Sequence, residues 1–243
     1  MLKLMTWNCQ GAFRKKYPLV ADIAPDLAVI QECEQLERIP WKKGRPPTAA
    51  LWFGENPTRG LGVFSWTNLC LQPLEGYDPS IRFCIPIRVT APYQFQLVAV
   101  WAMDDKDDSH SYSGQVYRAL GTYRDFIQAA DTVFMGDFNS SKLTTPESRL
   151  GNHGAITMNL NDMWLVSAYH QFYFERQGQE KRWTFFRGRK LERHTHLDYA
   201  FIPSRWLRRL AHVEIGDPQA WLAHSDHCPV IVEVQEKEAG KIV

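Results

Sequence analysis

No stretch of the 243-residue chain approaches the roughly 20 consecutive apolar residues that a membrane-crossing helix needs. Its five cysteines, Cys9, Cys33, Cys70, Cys84 and Cys228, are odd in number and scattered singly, with no CxxC pair. That pattern argues against both a structural zinc site and a disulfide framework, and leaves buried free thiols in a reducing cytoplasm as the expectation. There is no low-complexity tract, long Gly/Ser linker or clear repeat. The chain opens directly into an apolar strand, without the basic and apolar regions of a secretory leader, so a cytoplasmic protein without membrane attachment is expected. Charge of one sign is also lacking: 28 Lys and Arg against 27 Asp and Glu give a net +1, which excludes a uniformly basic surface for nucleic acid.

What is present is ordinary in bulk and specific in detail. A hydrophobic content of 44% with 23% charged residues suits a globular protein with a sizeable core. Five short polar motifs run from one end to the other: Trp7-Asn8, Gln31-Glu32, Gly136-Asp137-Phe138-Asn139, Leu197-Asp198-Tyr199 and Ser225-Asp226-His227. Each lies against an apolar run that reads as a strand, at 2–5, 27–30, 132–135, 199–202 and 230–232. Polar groups that recur at strand ends converge on one rim of a sheet, where α/β folds build their sites. Asn8 and His227 must then share one folding unit, so a single domain over 1–243 is expected.

Other segments are less decisive. Residues 15–24 suit a short helix ended by Pro25, and 40–47 form a Pro- and Gly-rich loop. Five apolar or alternating runs at 49–53, 60–66, 69–73, 82–90 and 95–102 suggest an antiparallel meander. Helical periodicity covers 113–130, with Val116, Leu120, Tyr123 and Ile127 on one face. A polar loop with room for a short helix spans 144–160, and 163–169 fits strand or helix equally. Further strands are expected at 182–186 and 213–215, with a short helix capped by Ser204 between them.

The ordered motifs resemble the endonuclease/exonuclease/phosphatase superfamily, which includes deoxyribonuclease I, exonuclease III and the apurinic/apyrimidinic endonucleases. The likeness covers nearly the whole chain. Gly60-Leu61-Gly62-Val63-Phe64-Ser65 is similar to that family's Gly-x-Gly strand, and Trp183-Thr184-Phe185-Phe186 to a segment of its exonuclease III branch. The resemblance implies an α/β/β/α sandwich of two packed mixed sheets, with the site at one rim.

Phosphodiester cleavage needs an activated water, neutralised phosphoryl oxygens and a stabilised leaving oxygen. A hard divalent ion on one or two carboxylates serves the last two, so Mg²⁺ is the expected cofactor, with Mn²⁺ a possible substitute. Glu32, ending a buried strand, is the best metal ligand; Asn8 is a neutral ligand or partner, and Asp226 a further carboxylate on the metal side. Taken alone, Glu32 would equally suit an exposed turn, and Asn8 a turn cap. Asp137 and Asn139 flank Phe138, so on an extended segment they point the same way, Asp137 towards the attacking water and Asn139 towards the water or phosphate. His227 is most useful as an imidazolium donating to a phosphoryl oxygen, oriented by Asp198.

Three positions depart from the family pattern. Gln10 stands where an acidic residue is common in the endonuclease branch, and Glu34 where a lysine often follows. Trp101 takes the slot of a proton-carrying tyrosine or histidine, and its indole cannot shuttle a proton. Trp101 is then a candidate to stack on a base or sugar, with Asp104 and His110 as candidate acids. Seven basic residues against three acidic between 175 and 193 suggest a substrate-facing segment. Within it, Arg182, Trp183, Phe185 and Arg187 alternate cations with aromatics, for phosphates and bases; a solvated amphipathic strand fits equally well.

Three readings stay open: a Mg²⁺-dependent nuclease, a phosphatase or phosphodiesterase for a small phosphorylated molecule, lipid headgroup or protein–nucleic acid adduct, and a non-catalytic nucleic-acid binder. Nucleic acid is the expected partner. No protein partner is inferable.

Overall fold

Alternating side chains in the central strands divide the core into three apolar zones, and these generate the layers. The computed structural model describes residues 1–41, 46–104 and 112–236. In β1 (Leu2–Asn8), Leu2 and Leu4 face one core while Met5 and Trp7 face another, as a period of two requires. The parallel neighbour β2 (Leu27–Cys33) repeats this, with Leu27 and Val29 inward and Ala28 and Ile30 outward. Helix α1 (Phe13–Ile23) covers the outer face through Phe13, Tyr17 and Val20.

The first six-stranded sheet runs β13 (Leu210–Ile215), β14 (Val230–Val234), β1, β2, β4 (Arg59–Ser65) and β3 (Ala49–Asn56). The second runs β5 (Cys70–Pro73), β6 (Cys84–Thr90), β7 (Phe95–Trp101), β8 (Thr132–Asp137), β12 (Asp198–Pro203) and β9 (Leu165–Ser167). Leu97, Ala99, Val133 and Met135 meet the inward residues of the first sheet in the core between the two. Val98, Val100 and Phe134 point the other way, against α2 (Ser113–Thr122), α3 (Arg124–Ala129) and α4 (His153–Asp162). The result is the four-layer α/β/β/α sandwich, each sheet mixed because β1–β2 and β7–β8 pair in parallel. No helix among the described residues is long and apolar enough to cross a membrane.

Several local expectations need correction. The run at 49–102 is not one meander: β3 and β4 join the first sheet, while β5, β6 and β7 join the second. Local alternation reports one buried face and says nothing about which sheet a strand edges. The helical stretch 113–130 is two helices, broken around Gly121, Thr122 and Tyr123, where helix propensity is poor. Residues 163–169 hold both alternatives in succession, β9 and then α5 (Ala168–Tyr173). The expected loop 144–160 gives way to a full helix, α4, that follows its cap Asn152, whose side chain accepts a hydrogen bond from Ala155 N–H at 3.0 Å. Ser204 caps nothing with its side chain; Ser204–Arg209 is a 3₁₀ segment following Pro203. The expected strand at 182–186 shrinks to β10 (Phe185–Phe186), which pairs with β11 (His194–Thr195). Four cysteines are buried, but Cys70 is exposed on an edge strand.

Strand direction places the motifs. Asn8, Glu32 and Asp137 lie at or next to the C-terminal ends of β1, β2 and β8. Asp198 opens β12, antiparallel to β8 and in register with Asp137, and His227 precedes β14, antiparallel to β1. All five therefore reach the same rim.

Candidate active site

At that rim the side chains form two adjacent hydrogen-bonded groups. His227 Nδ1 lies 2.8 Å from Asp198 Oδ2, and His227 Nε2 lies 4.0 Å from Asp137 Oδ2. Asn8 Nδ2 donates to Asp137 Oδ2 at 2.9 Å and reaches Glu32 Oε1 at 3.4 Å. Asn139 Nδ2 donates to the same Asp137 oxygen at 3.1 Å and to the Ala102 carbonyl at 2.7 Å. Asp137 and Asp198 are fully buried, and Asn8 and His227 nearly so.

The backbone is shaped to deliver these groups. Glu32 sits in the left-handed region, φ 58°, where the β2–β4 register slips between Gln31 and Cys33. Such a bulge re-aims a side chain that regular pleating would turn elsewhere. Asn139 is also left-handed, φ 45°, and its N–H donates to Asp137 Oδ1 at 2.9 Å. The two therefore meet through a tight turn after β8 ends, and not along an extended segment as the sequence suggests. Gly136 passes so close to β7 that a Cβ there would lie 1.9 Å from the Val100 carbonyl oxygen. That oxygen accepts a hydrogen bond from Gln31 Nε2 at 3.0 Å, which ties the two sheets together beneath the site.

Three further residues hold the acid–imidazole pair. Thr184 Oγ1 accepts from the N–H groups of Leu197 and Asp198 at 2.9 and 3.0 Å. Ser225 Oγ donates to the Asn8 carbonyl at 2.7 Å and accepts from His227 N–H at 3.0 Å. Trp7 Nε1 donates to the His227 carbonyl at 2.9 Å. Trp7, Thr184 and Ser225 belong to the motifs, but their supporting roles emerge only in three dimensions.

Burial and the charge of Asp198 raise the Asp137 carboxyl well above the usual carboxylate range, against the lowering influence of His227. Burial alone would lower His227, but Asp198 and Asp137 outweigh it and hold the imidazole protonated well beyond its usual range. Asp226 is raised by burial, opposed by His227 and reinforced by the charge of Glu32, so the two carboxylates share a region of negative potential.

The remaining candidates are distributed around this group. Phe185 packs on His227, ring centroids 4.8 Å apart, and Trp183 stacks on His194 at 3.5 Å. Arg182 leans over the Tyr173 ring at 3.8 Å and pairs with Glu175 at 3.3 Å, while Arg187 is exposed. Trp101 is only 3% exposed and packs against Phe83 under the guanidinium of Arg59, so no open indole face awaits a base. Among the candidate acids, Asp104 lies at the edge of the described residues and His110 outside them.

Arg59 and Tyr112 escape the sequence reading, and Arg189, one of the seven basic residues of 175–193, has a partner that the sequence does not indicate. Arg59 Nη2 contacts Glu32 Oε1 at 2.6 Å. Arg189 donates to Gln10 Oε1 at 2.6 and 3.2 Å and to the carbonyls of Ala223 and His224, so Gln10 holds a cation where a carboxylate was expected. Glu34 is buried and bound to the N–H and guanidinium of Arg14, fastening the start of α1. Tyr112, half-buried, has its phenol raised by burial and by the charges of Asp104 and Asp137, which brings a hydroxyl into the field of the site.

The donor set fits a cation. Among the described residues Asp137, Asp198 and His227 bring side-chain atoms within 4.8 Å of one another, the two carboxylates as ligand atoms and His227 as the imidazolium between them. Asp198 Oδ1 is buried without a hydrogen-bond partner among the described residues, and burial together with the charge of Glu32 raises Asp226. Carboxylate and amide oxygens in this arrangement suit a hard divalent ion.

Comparison with solved structures extends the picture. The 3′ phosphatase NExo from Neisseria, bound to a product DNA hairpin, superposes with a TM-score of 0.71 at 21% identity, over 97% of this chain and all of that one. An AP endonuclease from Archaeoglobus fulgidus gives 0.70 at 17% identity over the same shares. One from Leishmania major gives 0.68 at 13%, over 97% of this chain and 88% of that one. No protein-family model and no curated protein sequence matches the chain. Across nearly its whole length, the chain therefore shares the α/β/β/α fold of these exonuclease and AP endonuclease structures.

Proposed function

We propose that the chain is a metal-dependent phosphodiester hydrolase that cuts nucleic acid. The observation that carries this reading is the buried Asp137–Asp198–His227 group, bridged by Asn8 to Glu32 on one rim. Two carboxylates buried around one imidazolium serve no packing purpose and leave an excess of negative charge that is costly unless an ion or substrate completes it. The DNA hairpin bound to the similar NExo phosphatase favours nucleic acid over a small phosphoester.

Glu32, Asn8 and Asp226 would hold the divalent ion, Mg²⁺ by the hardness of their oxygens. When bound, such an ion neutralises charge on the phosphoryl oxygens and the leaving group. Asp137, with its raised carboxyl, takes a proton from the attacking water as the new O–P bond forms. Asn139 fixes the orientation of Asp137. His227, kept protonated by Asp198, donates to a non-bridging oxygen. The P–O bond to the leaving sugar then breaks, and that oxygen takes its proton from water or from the Tyr112 phenol. Phe185, Trp183 and Arg187 offer stacking faces and a phosphate contact beside His227.

A second reading, removal of a phosphate from a nucleic-acid 3′ end, is favoured by the activity named for NExo. Incubation with Mg²⁺ or chelator, across a 3′-phosphorylated DNA hairpin, a recessed duplex, an abasic duplex and single-stranded RNA, separates the two. Shortened strands support the nuclease, and phosphate release without shortening supports the phosphatase. Turnover of a small phosphomonoester alone would contradict both, as would binding without turnover.

A further inference from the structure

The least expected contact at the rim is Arg59 on Glu32. The hairpin between β3 and β4 brings it there. Asn56 Oδ1 accepts from Thr58 N–H at 3.0 Å, and Gln35 N–H donates to the Pro57 carbonyl at 2.9 Å, which fixes the hairpin tip against the segment after β2. Gly60 then lies so close to the Phe53 carbonyl that a Cβ would come within 2.5 Å. Arg59, at the start of β4, is consequently held opposite the bulge that aims Glu32. Its guanidinium lies 2.6 Å from Glu32 Oε1 and 5.7 Å from the Trp101 ring centre.

The two partners are unequal. The Glu32 side chain is 14% exposed and pinned by a left-handed backbone, whereas the Arg59 side chain is 53% exposed on a long, flexible stem. The carboxylate is fixed and the cation is free to leave. Glu32 Oε1 also faces Asn8 Nδ2, so the oxygen that would take an ion already faces two donors. A hard divalent ion needs that oxygen's lone pairs, and it repels a guanidinium held within a few ångströms.

We propose that Arg59 is an internal counter-cation for Glu32 that a divalent ion must displace, and that the displaced guanidinium then takes the substrate phosphate. The inference rests on the reading above that Glu32 takes part in holding the ion. Arginine suits both ends of the exchange, because its fork binds carboxylate and phosphate alike. Asn8 Nδ2 spans from Glu32 to Asp137, which puts the scissile phosphate next to the guanidinium's starting point. Metal and nucleic acid then favour one another: the ion frees Arg59 for the phosphate, and the phosphate removes Arg59 from the ion's ligand. Linkage makes the two effects equal. Arg59 is on this account a positioning residue for the ion and a binding residue for the substrate.

The test is Mn²⁺ binding, read from the electron paramagnetic resonance of the free ion, without and with a short single-stranded DNA at a temperature where no turnover occurs. Without DNA, Arg59→Gln binds Mn²⁺ about fivefold more tightly than the wild type, the scale of a partly exposed ion pair. Arg59→Lys, which keeps the charge without the fork, falls between them. DNA tightens Mn²⁺ binding to the wild type by a factor several times larger than it does to Arg59→Gln, where only the direct attraction of ion and phosphate is left. Mn²⁺ also alters the tryptophan emission of the wild type, and Trp101→Phe removes that change. Equal or weaker Mn²⁺ binding by Arg59→Gln, in a protein whose binding Glu32→Gln still abolishes, overturns the exchange and leaves the hydrolase reading standing. Mn²⁺ binding indifferent to both Glu32→Gln and Arg59→Gln means that the ion sits elsewhere, and the site assignment itself fails.

Discussion

Asp198 has one oxygen against His227 Nδ1 and a second, buried one without a hydrogen-bond partner among the described residues. The first makes it the main source of the raised His227 pKa once the opposing cost of burial is met. Asp198→Asn removes that negative charge, so the imidazolium loses its proton at lower pH. The basic limb of the pH–rate profile accordingly moves to lower pH, while binding of uncleaved DNA at acidic pH changes little. An unmoved limb would show that another group sets it. His153 supplies an independent pH effect, on stability. Its ring is buried between Ser140 and Gln177, and burial lowers its pKa to about 4 from the usual 6.5. Between those values the unfolded chain binds the extra proton, so stability falls as pH drops through that window. The full loss is about 3 kcal/mol. Urea unfolding at pH 7 and pH 4 tests this: His153→Gln, which keeps a polar side chain there, loses less stability across the interval than the wild type. That Asp137, Asn139, Asp198 and His227 come together was legible from the sequence because each lies in a polar motif at the end of an apolar run. Arg59 was not, since nothing in Thr58-Arg59-Gly60 marks a cation aimed at a carboxylate 27 positions earlier.

At the scale of the element, strand ends and their irregularities do most of the positioning. The β2 bulge turns Glu32 to the rim, and Gly136 lets β8 approach β7 closely enough for Gln31 to reach the Val100 carbonyl. Gly136→Ala would drive a Cβ into that carbonyl, and both sides of the clash are backbone. We expect it to destabilise the fold by about 3 kcal/mol or more and to impair any activity that survives, because Asp137 is the next residue. A denaturation midpoint equal to the wild type's would contradict the close approach. Apolar runs made β1, β2, β8, β12 and β14 readable from sequence, since each is buried over nearly its whole length. The short pair β10–β11 was harder: Trp183 and Phe185 show alternation, but only Phe185 and Phe186 make ladder contacts. Trp101 illustrates a different limit. Its strand was correctly placed, yet whether an aromatic at a strand end faces solvent depends on what covers it, here Phe83 and Arg59.

Across the whole molecule, two sheets packed face to face bring together residues that are far apart in the chain. Asn8 and Ser225 are 217 positions apart and share a 2.7 Å hydrogen bond. The sandwich was legible because the order of motifs resembles a known superfamily. The division of 49–102 between two sheets was not, because pairing partners are chosen by contacts far along the chain. The basic segment before β11 brings Phe185 against His227 without making the protein strongly cationic, in keeping with its net charge of +1. Affinity for nucleic acid should therefore depend only modestly on salt, through a few phosphate contacts. A steep fall in DNA binding between low and moderate salt would instead indicate an extended cationic track.

The central claim is that Asp137 performs chemistry in a site shared with Glu32, Asn8, Asp198 and His227. The most direct measurement is the single-turnover rate of DNA cleavage by Asp137→Asn at saturating Mg²⁺. The account predicts a fall of about 10²–10⁴-fold, the usual worth of a general base, with the unfolding midpoint and the affinity for uncleaved DNA preserved. A rate that stays near the wild type's in a properly folded variant would contradict it.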